Sequence, residues 1–231
     1  MLKVALQSHF FVSVMFSRLW LHGTTVQFRA MDTHSELLKE KYFANFDVSR
    51  YRNESFPNPI VIGFVASVGA GKSYLANALS KKLNVPIFTN DGIRRFLNDQ
   101  GVKGSNPLPD LVIDLARARS DKLLENGISY ILDADLTLTH KLDEQRMSER
   151  GAKLLLIRLN CPPELALSRI RQRADLGQSE SKGNEDDYNR REKERSKVHV
   201  NEGDIFFEFN CADPFDGEVS RLVPMLMRLE V

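Results

Sequence analysis

From Ile60 onward the chain alternates between two hydrophobic rhythms. Ile60–Ala66 is an unbroken apolar run rich in β-branched side chains, the mark of a strand covered on both faces. Directly after it, leucines recur every fourth position at Leu75, Leu79 and Leu83, which lines them along one side of a helix over Lys72–Leu83. The same alternation predicts strands at Val85–Thr89, Ile128–Asp133, Lys153–Arg158 and Ile205–Asn210. Helices are expected at Asp110–Asn126, Leu138–Arg150 and Glu218–Leu229, the last with a possible kink at Pro224, and another opens at Pro162-Pro163. Gly127 and Gly151 act as stop signals. Strands separated by helices predict an α/β fold of three layers: a five-stranded parallel sheet with right-handed crossovers and helices on both faces.

Upstream the pattern differs. Thr33-x-x-Glu36 forms a capping-box signature before a helix near Ser35–Phe46, with Leu38, Tyr42 and Phe46 on one face. Val48–Pro59 is polar and closed by proline, so residues 31–59 read as a helical arm and linker ahead of a main domain at 60–231. Residues 1–30 hold Lys3, Arg18 and Arg29 but no acidic side chain. The apolar run Phe10–Phe16 is too short to span a bilayer, and no convincing cleavage site follows it. An organelle transit segment fits this composition loosely. The expectation is a poorly structured or over-extended reading frame, with Met31 as the start. A second biased stretch, Asp175–Lys197, is charged and small-polar, and reads as a disordered loop or a mobile lid.

Composition adds two exclusions. With 32 basic against 31 acidic side chains and a net charge of +1, the chain has no reason to adhere to a membrane or to bind nucleic acid stably. This leaves a nucleic-acid end open as a substrate. Cys161 and Cys211 are far apart in sequence and belong to no metal-binding cluster, so they read as two small buried thiols of a cytoplasmic protein.

The strongest chemical signal is Ala66-Ser67-Val68-Gly69-Ala70-Gly71-Lys72-Ser73, which fits G-x-x-x-x-G-K-[ST] with alanine in the first glycine position. Gly69 and Gly71 allow the tight turn that points successive amides inward as an anion nest. Lys72 reaches terminal phosphates, the Ser73 hydroxyl can ligate Mg²⁺, and the helix beginning here adds its positive dipole end. Ser67 through Tyr74 are therefore the expected nucleotide contacts. No N-K-x-D guanine motif occurs, which favours ATP over GTP. The fold expected is thus that of a P-loop NTPase.

The end of the second strand runs into Thr89-Asn90-Asp91-Gly92-Ile93-Arg94, beside the phosphate loop at the ligand-binding edge of a parallel sheet. Asp91 and Arg94 would share a helix face, the first able to take a proton from a hydroxyl and the second to hold an acceptor. The plainer reading makes Asp91 the N-cap of a helix over Gly92–Asn98. Together with Ile131-Leu132-Asp133-Ala134-Asp135-Leu136-Thr137, this segment resembles the small P-loop kinases allied to phage polynucleotide kinase and the zeta toxins, over roughly Ile60 to Phe215. The resemblance implies Asp91 as general base, Arg94 as acceptor contact and Asp133 as holder of a Mg²⁺-bound water. Asp135 binds substrate or caps a turn. Cys161-Pro162-Pro163-Glu164 resembles the entry to their lid helix, which implies Arg173 and, second, Arg169 as lid arginines. Arg171, Arg190, Arg191 and Arg195 read as solvated spares. An acceptor would fit between Asp91, Arg94 and the helix bearing Arg117 and Arg119.

These readings predict a kinase that transfers the γ-phosphate of ATP, with Mg²⁺, to a hydroxyl of a small molecule or nucleic-acid end. The alternative is a regulatory or switch-type P-loop ATPase that has no phosphate acceptor.

Overall fold

The computed structural model describes residues 19–21, 24–26, 33–51, 56–102, 108–176 and 184–229. The expectations for residues 1–30 fall outside these, except for a short antiparallel pairing of β1 (Leu19–Leu21) with β2 (Thr24–Val26).

The main sheet is built from β3 (Ile60–Ala66), β4 (Ile87–Phe88), β5 (Tyr130–Asp135), β6 (Lys153–Asn160) and β7 (Ile205–Asn210). They run parallel in the order β4-β5-β3-β6-β7, with β3 central. All seven residues of β3 are buried, and their alternation separates the layers. Ile60, Ile62, Phe64 and Ala66 pack with Leu75, Leu79 and Leu83 of α2 (Lys72–Leu83) and with Val219, Leu222 and Leu226 of α8 (Phe215–Met227). On the opposite face Val61 meets Leu123 and Leu124 of α4 (Leu108–Glu125) and Met147 of α5 (His140–Ser148). Further along that face Val65 packs against Leu136. Gly63 makes this possible, because a Cβ there would collide with the Leu136 side chain. The continuous apolar run was therefore a correct sign of a strand with no solvent face.

Boundaries moved where packing outweighs local pattern. The expected strand Val85–Thr89 shortens to Ile87–Phe88, whereas the strand expected to end at Asp133 continues to Asp135 through its pairing with β3. The helix expected from Gly92 begins earlier, as α3 (Asn90–Asp99). α1 (Thr33–Ala44) inserts Leu38 among Ile93 and Leu97 of α3 and Leu111, Val112 and Leu115 of α4.

The polar stretch expected to be a loop or lid contains a helix, α7 (Glu185–Arg195), which follows α6 (Pro163–Asp175). Only Tyr188 is buried in α7, so there was no apolar period to read. Its stability comes from elsewhere. The Asn184 side chain accepts from the Asp187 amide at 2.8 Å, acidic residues fill the first turn and basic ones the last. Arg171 of α6 grips Glu185 at 2.6 Å, which joins the two helices. No helix among the described residues is long and apolar enough to cross a membrane.

Candidate active site

The carboxyl ends of β3, β4 and β5 open into a cleft of about 1290 Å³. Its floor is the turn between β3 and α2. Gly69 and Gly71 sit at φ +83° and +100°, a left-handed region open to glycine but strained for other residues. Gly71 occupies the N-cap of α2 without a side-chain cap, so the first amides of that helix face the cleft. A Cβ on Gly69 would come within 2.5 Å of the Ala166 carbonyl, so α6 packs directly onto this turn. Lys72 donates from Nζ to the Ser67 carbonyl at 3.0 Å, clasping the loop across its mouth. Burial pulls the Lys72 ammonium below its usual range, and the Asp135 and Asp133 carboxylates oppose that shift.

The Ser73 hydroxyl lies beside the Asp133 carboxylate and favours its charged form. Burial pushes this carboxyl above its usual range, Ser73 and Lys72 pull it back, and Asp91 adds a small upward push. A partly buried carboxylate beside a serine hydroxyl is a hard-oxygen pair of the type that Mg²⁺ accepts together with phosphate oxygens and water. Asp135 is tied into the fold. Its Oδ1 accepts from the Ala66 amide at 3.2 Å, the Thr137 amide at 3.2 Å and the Thr137 hydroxyl at 2.6 Å, while the residue still lines the cleft.

On the facing wall α3 brings Asn90, Asp91, Arg94, Arg95 and Asn98 to the cleft. The helix cap is Thr89, whose hydroxyl accepts from the Gly92 amide at 3.1 Å, so Asp91 does not serve as the cap it was alternatively expected to be. Asp91 lies in the first turn, with its Oδ1 2.6 Å from Nη1 of Arg94. Arg119, expected near an acceptor, is only 4% exposed. It donates to the Thr89 carbonyl at 3.2 Å and to the Tyr42 hydroxyl at 3.3 Å, and lies over the Phe88 ring. It thus holds the start of α3, and hence Asp91, against α1 and α4.

The arginines divide into two groups. Arg173, Arg190 and Arg191 line the cleft. Arg169 does so too, but it is anchored: Nη1 donates to the Ala70 carbonyl at 3.2 Å and Nη2 to the Cys211 carbonyl at 3.3 Å. Arg195, expected to be solvated, donates to the Ser67 hydroxyl at 3.3 Å and places the end of α7 on the phosphate loop. Sequence spacing carried no signal for that contact, since 128 positions separate the two residues. Also unforeseen is an aromatic wall, where Tyr74 rests 4.4 Å from the Phe215 ring and Phe215 lies 5.5 Å from Phe209.

Sheet order, phosphate turn and the carboxylates around it define a P-loop protein of the α/β class. The chain belongs to the AAA domain family, whose model matches residues 61–197, more than half of its length. A comparison with curated protein sequences yields no match. Among solved structures, the chain is similar to an inferred kinase from Chloroflexus aurantiacus at 18% identity and a TM-score of 0.57, covering 75% of this chain and 100% of that one. It is similar to a gluconokinase from Sinorhizobium meliloti 1021 at 16% identity and a TM-score of 0.50, over 75% and 93% of the two chains. The APS kinase CysC of Mycobacterium tuberculosis, solved with AMPPNP and APS, is 14% identical with a TM-score of 0.51, over 74% and 98%. At these identities the likeness is one of fold: the chain has the architecture of the small P-loop kinases.

Proposed function

We propose that the protein is an ATP-dependent phosphotransferase that moves a phosphoryl group to a hydroxyl acceptor. The observation that carries this reading is the arrangement of one cleft. A phosphate nest with Lys72 and the Ser73–Asp133 pair lies on its floor, the Asp91–Arg94 pair on one wall, and Arg173, Arg190 and Arg191 complete its lining.

The residues present fit both groups that such a reaction needs. The amides of the Val68–Ser73 turn and the Lys72 ammonium suit a triphosphate, and Ser73 with Asp133 suits Mg²⁺. Bound there, ATP supplies the phosphoryl group and Mg²⁺ neutralises charge on its oxygens. Asp91 accepts the proton of the acceptor hydroxyl at its carboxylate. Arg94, held against it, orients the acceptor, and the α6 and α7 arginines draw charge toward the phosphate loop and exclude water. Asp135 serves first as a tie between β3 and the following turn, with acceptor contact as a second role. The names of the gluconokinase and APS kinase neighbours support a hydroxyl-bearing small molecule as acceptor. The D-x-x-R resemblance to the polynucleotide kinase and zeta toxin group keeps a nucleic-acid end within the same proposal.

The test is ADP release measured against a panel of sugars, nucleosides and 5′-hydroxyl oligonucleotides, with products identified by mass spectrometry. The expected result is acceptor-dependent ADP release matched by a monophosphorylated product. ADP release indifferent to every acceptor, with phosphate appearing in water alone, would favour the switch-type ATPase.

A further inference from the structure

Cys161 and Cys211 are brought together beside the phosphate loop. Each directly follows the last residue of a strand, and those last residues, Asn160 and Asn210, are register partners in the β6–β7 ladder. The Cys211 amide donates to the Asn160 carbonyl at 2.9 Å, the last rung of that ladder, so the two segments are still side by side where the cysteines begin. Neighbouring strands lie about 4.8 Å apart. That separation falls within the Cα spacing of roughly 4.4–6.8 Å that a disulfide requires. Both thiols are free, and Cys161 packs against the same apolar cluster that holds the buried Cys211.

We propose that Cys161 and Cys211 form a reversible disulfide that acts on the phosphate loop. The two cysteines differ in a way that suits attacking and resolving roles. Cys161 is part-exposed, with the Arg169 guanidinium 3.8 Å from its sulfur, so an oxidant in solution reaches it first. Cys211 is 7% exposed, and its thiol is pushed up to about 12, first by burial and then by the neighbouring Cys161. With a small-molecule disulfide such as glutathione disulfide as oxidant, the Cys161 thiolate attacks one of its sulfurs and releases one glutathione thiolate. Cys161 in the mixed disulfide carries no charge, which removes its effect on Cys211. The Cys211 thiolate then attacks the Cys161 sulfur and displaces the second glutathione. The protein loses two protons and two electrons, and glutathione disulfide is reduced to two thiols.

The bond has a structural consequence at the loop. In the reduced protein the Cys211 thiol donates to the Ala70 carbonyl at 3.3 Å, and Arg169 donates to the same oxygen. A sulfur in a disulfide carries no proton, so oxidation removes one of these two donors from the middle of the phosphate turn. The expected change is weaker ATP binding by about 3- to 10-fold, the worth of one hydrogen bond. That figure rests on the nucleotide-binding reading of the cleft, whereas formation of the bond does not.

The experiment titrates the native full chain with glutathione buffers from fully reducing to fully oxidising. It reads intact mass, maps peptides without reduction, and measures ATP affinity in the same samples. The expected result is an intramolecular Cys161–Cys211 peptide that dithiothreitol reverses. Cys161→Ser and Cys211→Ser proteins form no such peptide, and their ATP affinity does not respond to the buffer. Two free thiols, or glutathione adducts alone, at the oxidising limit would overturn the proposal. A mapped disulfide with unchanged ATP affinity would overturn its action on the loop. Absence of ATP binding even in the reduced protein would instead overturn the kinase reading and leave the mapped bond standing.

Discussion

The Thr89 hydroxyl accepts the Gly92 amide at 3.1 Å, and this contact releases Asp91 from capping duty. Cap and candidate base sit two residues apart on the same turn, so the two roles can be separated by substitution. Thr89→Ala is expected to cost about 0.5–2 kcal/mol of stability through loss of the cap. Asp91→Asn should leave stability and ATP affinity close to the parent, while phosphoryl transfer falls by roughly 10²–10⁴-fold. Thermal melts and transfer assays on both variants check this. Near-parental transfer by Asp91→Asn with a competent acceptor would remove Asp91 from the mechanism.

Lys72 places the phosphate turn's own ammonium between two carboxylates and the Ser67 carbonyl. Lys72→Ala is expected to weaken ATP binding and abolish detectable transfer without unfolding the chain, because burial already works against the charged ammonium. Isothermal titration with ATP, beside a melt, distinguishes this from general damage.

Asp133 links site chemistry to stability. Its pKa is raised by burial, so the folded state holds a proton there more readily than the unfolded chain does. The stability this group contributes is full below its unfolded value and is lost as pH rises through the folded value, which leaves a cost at neutral pH. Asp133→Asn should therefore melt at or above the parent temperature at pH 7, with the gain vanishing in acid. Transfer should fall by roughly 10²-fold or more, because metal positioning is worth several kcal/mol. A melt lower than the parent at pH 7 would show the carboxylate to be a net structural support.

Gly69 tests how closely α6 packs on the loop. Gly69→Ala combines a left-handed backbone with a Cβ 2.5 Å from the Ala166 carbonyl, and α6 must move to admit it. The expected loss is about 1–3 kcal/mol, read by chemical denaturation. Gly127→Ala, at φ +69° with open space around its Cβ, should lose less.

α7 rests on few apolar contacts and on Arg195 reaching Ser67. Hydrogen exchange over Glu185–Arg195 is expected to slow when a non-hydrolysable ATP analogue binds, and Arg195→Ala should blunt that protection. Equal exchange with and without the analogue would argue against closure of this segment over the nucleotide.

Much of the fold was legible because its signals are local. The β3 run is buried on both faces and reads as such, and the leucines of α2 keep one face toward it. The phosphate turn was legible for the same reason, since two glycines, a lysine and a serine in sequence build the nest from their own backbone. α7 was not, because a helix held by caps, dipole and charge pairs leaves no hydrophobic period. Strand ends were off by two residues or so where pairing decides them, as at Asp135.

By itself, then, the sequence determined the parallel α/β class, the phosphate loop and the placing of Asp91 near it, all consequences of spacing within about one turn or one strand. Only the tertiary structure decided what meets across long separations. Arg119 was assigned to the Thr89 carbonyl and Arg195 to Ser67. Cys161 was set against Cys211, and Arg169 against the Ala70 carbonyl rather than free in a lid. Each of these contacts depends on which strand lies beside which and on the direction a helix takes over the sheet. Those are set by the packing of whole layers, and no short-range pattern of residues encodes them.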